Sequence, residues 1–442
     1  MKLNFHLIKG SLVGALGGLL FGFDTAVIAG TTHGLTAQYA LTSRSLGITV
    51  FMALAGAVIG ALSAGAPGQK YGGRETLRFL ALCYVISALG CAFAWDWTTL
   101  LIFRFIGGVG IGGSSVLGPV YIAEIAPAKW RGRLVGTFQI NIVIGILLAY
   151  FSNYCVARWI GGPEDWRWMF GVSGIPALLF LVLLFTIPQS PRWLATKNRS
   201  EEAHEVLSLI GAENPEGELA EIMASIHLER SQKQERLFSR KYAFPLFLAI
   251  SLGAFNQLSG INAILYYLSD IFSAAGFSQI SGDLQSVAVG AMNLIATLLA
   301  MSVIDKIGRK ALLLIGSVGM AFSLGGVAAV FLSHSHQRDL LWCLLGFIGF
   351  FAISQGAVVW VYIGEVFPNQ VRAKGQSAGS SSHWIMNAVI SLIFPVVAAR
   401  SGGYPFAFFA AMMVVQFFMV LFFFPETKGV SLEALQHHLG LD

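Results

Sequence analysis

Charged side chains are scarce in this sequence. Asp, Glu, Lys and Arg together make up 12% of its 442 residues, whereas a soluble domain carries about 25%. Hydrophobic residues make up 55%, and the mean hydropathy is +0.70. A soluble protein of this length could not cover its surface with so little charge, but a surface that faces lipid has no such need. The scarcity therefore excludes an ordinary soluble protein and indicates an integral membrane protein.

The residue groups that mark metal sites and enzymes are also missing. The four cysteines, Cys83, Cys91, Cys155 and Cys343, lie far apart in or near apolar sequence and form no C-x-x-C pair. We therefore expect them to pack as small apolar side chains, with no disulfide and no metal site. No nucleotide-binding loop and no nucleophile–base pair stands out, so we expect neither an enzyme nor a cofactor. The net charge of +5 is explained by basic cytoplasmic loops and does not indicate nucleic acid.

Long apolar runs, in contrast, are abundant. A membrane-spanning helix needs roughly 20 apolar residues, and such runs occur six times before a polar middle stretch and six times after it. The predicted spans are 10–30, 46–66, 77–95, 99–123, 134–154, 166–187, 244–273, 284–303, 311–332, 340–366, 376–399 and 404–424. The middle stretch is rich in Glu and has apolar residues at helical spacing, which predicts amphipathic helices at the membrane surface.

These patterns predict an all-α membrane protein with four parts. We expect an N-terminal six-helix half (1–194), intracellular amphipathic helices (195–241), a C-terminal six-helix half (242–430) and a short cytoplasmic tail (431–442). Loop charge gives the orientation. Of the 28 Lys and Arg, five fall on one side and Arg104 lies within a span, which leaves 22 on the other side. The five are Arg44, Arg158, Arg167, Arg338 and Arg400. By the positive-inside rule, both termini are expected to be cytoplasmic.

The two halves repeat each other. The pattern Y-I-x-E-x-x-P-x-x-x-R-x-R, from Tyr121 to Arg133, returns 241 residues later as Y-I-x-E-x-x-P-x-x-x-R-x-K, from Tyr362 to Lys374. A shorter echo links residues 70–74 to residues 306–310. Internal repeats with a binding site near the midplane are the architecture of alternating-access carriers.

Five motifs are more specific still. They are Y-I-A-E-I-A-P-A-K-W-R-G-R (121–133), P-Q-S-P-R-W-L (188–194), Q-L-S-G-I-N (257–262), D-K-I-G-R-K (305–310) and P-E-T-K-G (425–429). With them, residues 13–429 resemble the sugar porter family of the major facilitator superfamily. The resemblance implies the twelve-helix major facilitator fold and sugar transport. One departure is the first-half loop at 69–74, which lacks the family's acid and one of its arginines. We therefore expect the charge interactions that close the cytoplasmic side to be weaker in that half.

Asp24 stands in the middle of the first predicted span, and Arg104 is the only basic residue in the core of a predicted span. A carboxylate in hydrocarbon costs several kcal/mol unless it is paired or protonated. One interpretation is a structural ion pair between two helices. The other is a proton switch, in which protonation of Asp24 releases Arg104. Proton-coupled members of the resembled family have an acid at this place, which favours the switch.

The resemblance also implies a set of sugar-binding residues. Amides both donate and accept, as sugar hydroxyls do, although amides within spans also join helices to one another. Trp360 falls on the family's sugar-stacking position, and the other aromatic residues would line or gate the pocket. The predicted substrate-binding residues are Phe21, Gln139, Asn256, Gln257, Asn262, Tyr266, Asn293, Phe351, Gly356, Trp360 and His383.

Two of these positions depart from the family's usual pattern. Asn256 stands where Gln is frequent, and its shorter side chain reaches less far. His383 stands where aldose-type relatives often have Gln, and it either contacts the sugar or is a buried neutral histidine bonded to a carbonyl. Because Trp360 is kept, a hexose is the first expectation. Pentose, fructose and inositol remain open.

A third group of residues lies at the predicted cytoplasmic ends of the helices. We expect these residues to form salt bridges that close the inner gate, with small individual energies but a combined effect on two states near balance. They are Glu124, Arg131, Arg133, Asp305, Arg309, Glu365 and Arg372.

The sequence thus predicts a sugar–proton symporter of a bacterial cytoplasmic membrane, in contact with lipid and acting as a monomer. A facilitative sugar uniporter is the main alternative. A transporter-like sugar sensor would be expected to carry a longer cytoplasmic tail, and a multidrug exporter would lack Q-L-S-G-I-N and have a more apolar cavity.

Overall fold

The computed structural model describes residues 4–231, 237–368 and 371–428, and the described residues form helices and no strand. Twelve helices in this part of the chain are long and apolar enough to cross a membrane. We number them spans 1 to 12 in chain order. Their bounds are Phe5–Tyr39, Ser43–Ser63, Gly73–Ala92, Trp97–Ile125, Lys129–Trp159, Asp165–Leu183, Arg240–Tyr266, Gln279–Ile304, Arg309–Ser333, Gln337–Glu365, Lys374–Ala398 and Tyr404–Phe423. The prediction of an all-α protein with twelve spans is confirmed.

Two span boundaries differ from the prediction. Span 1 runs to Tyr39 instead of residue 30. The hydroxyl of Thr31 donates to the carbonyl oxygen of Ile28 in the same helix, at 2.9 Å, so this polar side chain is satisfied without ending the helix. Span 7 ends at Tyr266 instead of residue 273. It contains a break at Gly260, whose φ of 81° favours glycine, and a separate helix, Leu268–Ala274, follows.

The chain forms two compact units. The first comprises Met1–Val27, Met52–Ser152 and Pro163–Lys233, and the second comprises Ile28–Phe51, Asn153–Gly162 and Gln234–Asp442. Span 1 therefore contributes its beginning to the first unit and its end to the second. The predicted tail, 431–442, lies outside the described residues.

Glycines set the helix contacts that matter for the site. In the first unit, a Cβ on Gly22 would lie 1.8 Å from the carbonyl oxygen of Ile142, so span 1 can lie against span 5 only with glycine there. In the second unit, a Cβ on Gly253 would lie 2.5 Å from the carbonyl oxygen of Gly379. This contact brings spans 7 and 11 together one helical turn before Gln257 and His383.

Two further features interrupt the pattern of straight spans. The predicted middle stretch forms the helices Ser200–Leu209 and Pro215–Ser231 in the first unit, while its residues 232–236 lie outside the described part. Span 10 contains a π-helical segment, Ala352–Gly356. Such segments often occur at functional sites in helices, and this one lies one turn before Trp360.

Candidate functional site

The first unit contains the predicted ion pair. Arg104 Nη1 donates to Asp24 Oδ1 at 2.8 Å, between spans 4 and 1. The Arg104 side chain is 3% exposed and that of Asp24 is 18% exposed. The guanidinium also lies 5.5 Å from the centre of the Phe170 ring. Asp24 and Arg104, which are 80 positions apart in the chain, are thus brought together as predicted.

A cavity borders this ion pair on the Asp24 side. Its lining combines apolar side chains with the hydroxyl-bearing Tyr84, Ser87 and Ser173. Tyr84 also shares a hydrogen bond of 2.9 Å with Ser114. Asp24 lines this cavity and is also bonded to Arg104.

The second unit brings four predicted polar residues together. Gln257 Nε2 donates to Asn256 Oδ1 at 3.0 Å and lies 3.2 and 3.3 Å from the two ring nitrogens of His383. Asn262 Nδ2 donates to Gln257 Oε1 at 3.2 Å. Asn256, Gln257 and His383 are buried. We call these four residues the amide cluster. It contains Asn256 and His383, the two predicted substrate-binding positions that depart from the usual pattern of the resembled family.

The aromatic side chain of Trp360 borders the amide cluster. The ring centres of Trp360 and His383 are 5.0 Å apart at an interplanar angle of 59°, and Trp360 is 41% exposed. The indole is therefore only partly covered by protein. Tyr266 is buried, and its hydroxyl accepts a hydrogen bond of 3.1 Å from Asn387 Nδ2.

The other predicted substrate-binding residues are more scattered. Gln139 lies half-buried in span 5 of the first unit, and Phe21 lies half-buried in span 1. Asn293 is buried in span 8. Phe351 and Gly356 flank or belong to the π-helical segment of span 10. Their roles as sugar contacts stay predictions.

In the second unit, predicted gate residues meet at one junction. Arg309 Nη2 donates to Glu365 Oε1 at 3.0 Å, and Thr427 Oγ1 donates to Glu365 Oε2 at 2.6 Å. Arg372 donates to the carbonyl oxygen of Phe367 at 3.3 Å. The side chain of Asp305 lies outside the described part of the structure.

Glu426, from the P-E-T-K-G motif, belongs to the same junction and binds the start of span 9. Its carboxylate accepts the backbone N–H groups of Arg309 and Lys310 at 2.9 and 3.0 Å, at the start of span 9. Thr427 and Lys428 donate their N–H groups to it as well. Burial opposes ionisation of Glu426, but these backbone donors outweigh burial and lower its pKa.

In the first unit, the predicted gate residues have different partners. Glu124 hydrogen-bonds the side chain of Ser190 and lies near Arg192. Arg131 donates to the carbonyl oxygen of Ala123 at 3.1 Å, which completes the end of span 4. Arg133 stacks 5.2 Å from the centre of the Trp130 ring. An ion-pair network that joins the two halves stays a prediction.

Sequence reasoning missed several polar residues of the second unit. Asn387, which bonds Tyr266, lies four residues after His383 and hence on the same helix face. That spacing could have indicated it. Gln355 donates to Gln416 at 2.5 Å between spans 10 and 12, and both are buried. Nothing in the sequence pairs two glutamines 61 positions apart, so only the packing of the spans could show this bond.

Comparisons with known proteins agree with these observations. A sequence model of the family described as "Sugar (and other) transporter" matches residues 10–439. The chain is 36% identical to a glucose transport protein of Synechocystis sp., over 97% of this chain and 96% of that one. It is 35% identical to the D-xylose-proton symporter of Escherichia coli, over 98% and 95% of the two chains. The inward-open structure of the E. coli xylose transporter XylE covers 98% of this chain with a TM-score of 0.87, at 34% identity.

The chain belongs to the sugar porter family of the major facilitator superfamily. The predicted major facilitator fold is therefore confirmed, as is the prediction that the protein is a transporter and not an enzyme. With its twelve spans, this sugar porter is a multi-pass protein of the inner membrane. Its relatives carry different sugars, glucose and xylose among them.

Proposed function

We propose that this sugar porter imports a monosaccharide, with a hexose as the first candidate, together with a proton by alternating access. The observation that carries the proposal is the buried Asp24–Arg104 ion pair beside a cavity. Its named relatives include both a glucose transport protein and a xylose–proton symporter. The same ion pair could also be static, in which case the protein would be a facilitative uniporter.

The physics of the ion pair supports a proton switch. Arg104 keeps its charge at all relevant pH values, whereas Asp24 can lose its charge by taking a proton. The electrostatic attraction of Arg104 acts on Asp24 only while the carboxyl is ionised. Each protonation of Asp24 therefore weakens the bond between spans 1 and 4. A carrier with two states near balance responds to such a change by shifting its population.

The amide cluster supports an uncharged, hydroxylated substrate. Gln257 uses its amide nitrogen on Asn256 and His383, and its oxygen accepts from Asn262. An amide oxygen has two lone pairs, so Gln257 can still accept from a sugar hydroxyl. A charged ligand would leave an uncompensated charge beside these neutral groups.

Trp360 supports a pyranose of hexose size. Its indole is partly exposed and packs against His383, a member of the amide cluster. A partly exposed aromatic ring of this kind suits the apolar C–H side of a sugar ring. Both termini are predicted to lie in the cytoplasm. In this orientation, an excess of protons outside the cell would drive uptake of the sugar.

The test is uptake of labelled monosaccharides into proteoliposomes that contain the purified protein. Glucose, galactose, xylose, arabinose, fructose and inositol would be measured with and without an imposed pH gradient. We expect a hexose to rank first and the gradient to raise its accumulation. If none of these sugars is taken up or competes, the proposal fails. Uptake that ignores the gradient would instead identify a uniporter.

Asp24→Asn separates the two mechanisms directly. Because Asn cannot take up a proton, we expect the variant to lose gradient-driven accumulation while it retains sugar binding and sugar counterflow. Asp24→Glu, which keeps a titratable carboxyl, is the matched control and should retain part of the accumulation. Unchanged accumulation in Asp24→Asn would make the pair structural.

His383→Gln tests the amide cluster as the sugar site. The glutamine amide would offer both a hydrogen-bond donor and an acceptor at the place where the imidazole of His383 now contacts Gln257. We expect the order of preferred sugars to change, with coupling to the gradient preserved. An equal loss of transport for every sugar would show that His383 only packs.

A further inference from the structure

A second pair of titratable residues lies at the end of span 1, away from Asp24. Thr32 Oγ1 donates to Asp270 Oδ1 at 2.9 Å, and His33 Nε2 lies 3.5 Å from the same oxygen. Asp270 belongs to the helix Leu268–Ala274, which follows span 7. All three residues belong to the second unit. They join two helices that are more than 200 positions apart in the sequence.

The carboxyl of Asp270 is incompletely satisfied. Its second oxygen, Oδ2, is buried and has no hydrogen-bond partner among the described residues. The Asp270 side chain as a whole is 30% exposed and that of His33 is 42% exposed, so solvent protons reach both. A buried carboxylate oxygen without a partner gains from a nearby positive charge.

The other titratable groups near Asp270 cannot supply that charge. Tyr267, on the turn before the Asp270 helix, lies within range of its charge, and its hydroxyl donates to the carbonyl oxygen of Ser391. From span 8, Asp283 accepts the hydroxyl of Ser269, the neighbour of Asp270. A phenol and a second acid are neutral or negative, so His33 is the group here that becomes positive on protonation.

The chemistry of histidine suits a response to mild acid. Histidine is the side chain whose ordinary pKa lies near 6.5. Burial raises the pKa of the Asp270 carboxyl, and the imidazole opposes that rise. The ion pair is complete when His33 is protonated and Asp270 is ionised.

We propose that His33 and Asp270 form a second proton-binding site, which fastens the end of span 1 to the helix after span 7 when a proton is bound. The proton and the contact are linked, because a proton that binds more tightly in the joined state favours that state. The site is separate in sequence from Asp24 and Arg104.

The expected consequence rests on the proposed function and its orientation, which put this end of span 1 on the outer side. A low external pH would load Asp24 and also hold the outer ends of the two helices together after loading. The second proton site would thereby favour the change of the carrier to its inward-facing state over reopening to the outside.

The test measures this contact directly. Spin labels would be placed at Ala37 and Ala274, exposed positions on the two helices, in a chain whose four cysteines are replaced by alanine. Distances would be recorded in lipid nanodiscs at pH 8 and pH 6. We expect the short-distance population to rise about threefold at pH 6, a change typical of a partly exposed ion pair.

Three variants make the result specific. His33→Gln and Asp270→Asn should show no pH response, whereas His33→Lys, which is charged at both pH values, should keep the short distance at pH 8. His336→Gln is the matched control, because this exposed histidine is hydrogen-bonded to Ser335 and should leave the response unchanged.

A pH-independent distance in the unaltered protein, or an equal response in His33→Gln, would overturn the proposal. The measurement needs no sugar, so it is independent of the proposed transport function. If the distance responds to pH but no sugar is transported, the proton site stands and the proposed function falls. If sugar uptake is coupled but the distance is constant, the reverse holds.

Discussion

The two halves of the chain build one junction twice, with the same backbone and different charges. The first junction comprises residues 72–74, 121–124 and 188–192, and the second comprises residues 308–310, 362–365 and 425–428. In the first, the hydroxyl of Tyr121 donates to the carbonyl oxygen of Pro188 at 2.8 Å. In the second, the hydroxyl of Tyr362 donates to the carbonyl oxygen of Pro425 at 3.0 Å.

The turns that begin spans 3 and 9 match as closely. Gly72 and Gly308 have φ values of 95° and 105°, in a region that favours glycine. A Cβ on either would meet the side chain that caps the next helix, Gln189 in the first junction and Glu426 in the second. Gln189 accepts the N–H of Arg74 at 3.3 Å, as Glu426 accepts those of Arg309 and Lys310.

Two charged residues of the second junction, Arg309 and Glu426, have neutral counterparts in the first. The cap is a neutral amide in the first junction and a carboxylate in the second. Glu365 has Arg309 as its partner, whereas Gly73 stands at the equivalent place in the first junction and Glu124 bonds Ser190. The repeated hydrogen bonds hold the turn, and the added charges strengthen one copy of it. The comparison supports the prediction that the cytoplasmic charge interactions are weaker in the first half.

The largest expected effect comes from Arg309→Ala. Glu365 is partly buried and would lose its cation, so we expect the second junction to lose about 2 kcal/mol of stability. Arg192→Ala, next to the equivalent Glu124, should cost less than about 1 kcal/mol. Melting of the purified proteins in detergent checks both. Equal losses would contradict the difference between the junctions.

Glu426→Gln makes the second cap resemble the first. Hydrogen bonds to a charged acceptor are stronger than those to a neutral one, so the variant should be less stable by about 1 kcal/mol at pH 7. Gln189→Asn is the control. It shortens the capping side chain of the first junction without changing its charge, so it tests the effect of a lost hydrogen bond to the N–H of Arg74. A variant as stable as the unaltered protein would show that the charge on Glu426 contributes nothing.

The same residue predicts a pH dependence. Because the folded protein lowers the pKa of Glu426, its stabilisation is present above the unfolded pKa of about 4.5 and is lost as pH falls through the folded pKa. The difference in melting temperature between the unaltered protein and Glu426→Gln should therefore shrink between pH 7 and pH 4. A difference that grows in acid would reverse the sign and refute the assignment.

The smallest expected effect is a gain. Gly73→Arg would place a cation opposite Glu124, and a Cβ there makes only ordinary contacts, 3.7 Å or more from Tyr121. Gly73→Ala is the matched control, because it adds helix propensity without charge, worth about 1 kcal/mol at most. We expect Arg to exceed Ala by less than about 1 kcal/mol. Slower transport in Gly73→Arg would show that a weak first junction serves the cycle.

Much of the site could be predicted because the chain repeats itself and because charge in a membrane is costly. Asp24 and Arg104 stood out as ionisable groups within apolar runs, and they form an ion pair. Gln257, Asn262 and His383 were predicted from the resemblance to the family, and they meet. Gln355 and Gln416, and His33 with Asp270, were not predicted, since each joins two helices whose sequences carry no common pattern.

The sequence by itself determined the membrane class, the number of spans and the repeat, because hydropathy and spacing are local properties of the chain. Only the tertiary structure decided which polar groups share a bond. Gly253 and Gly379 let spans 7 and 11 touch and so set Gln257 against His383, and the end of span 1 reached Asp270 in the same unit. Such pairings follow from the close packing of helices, to which residues far apart in the sequence contribute jointly.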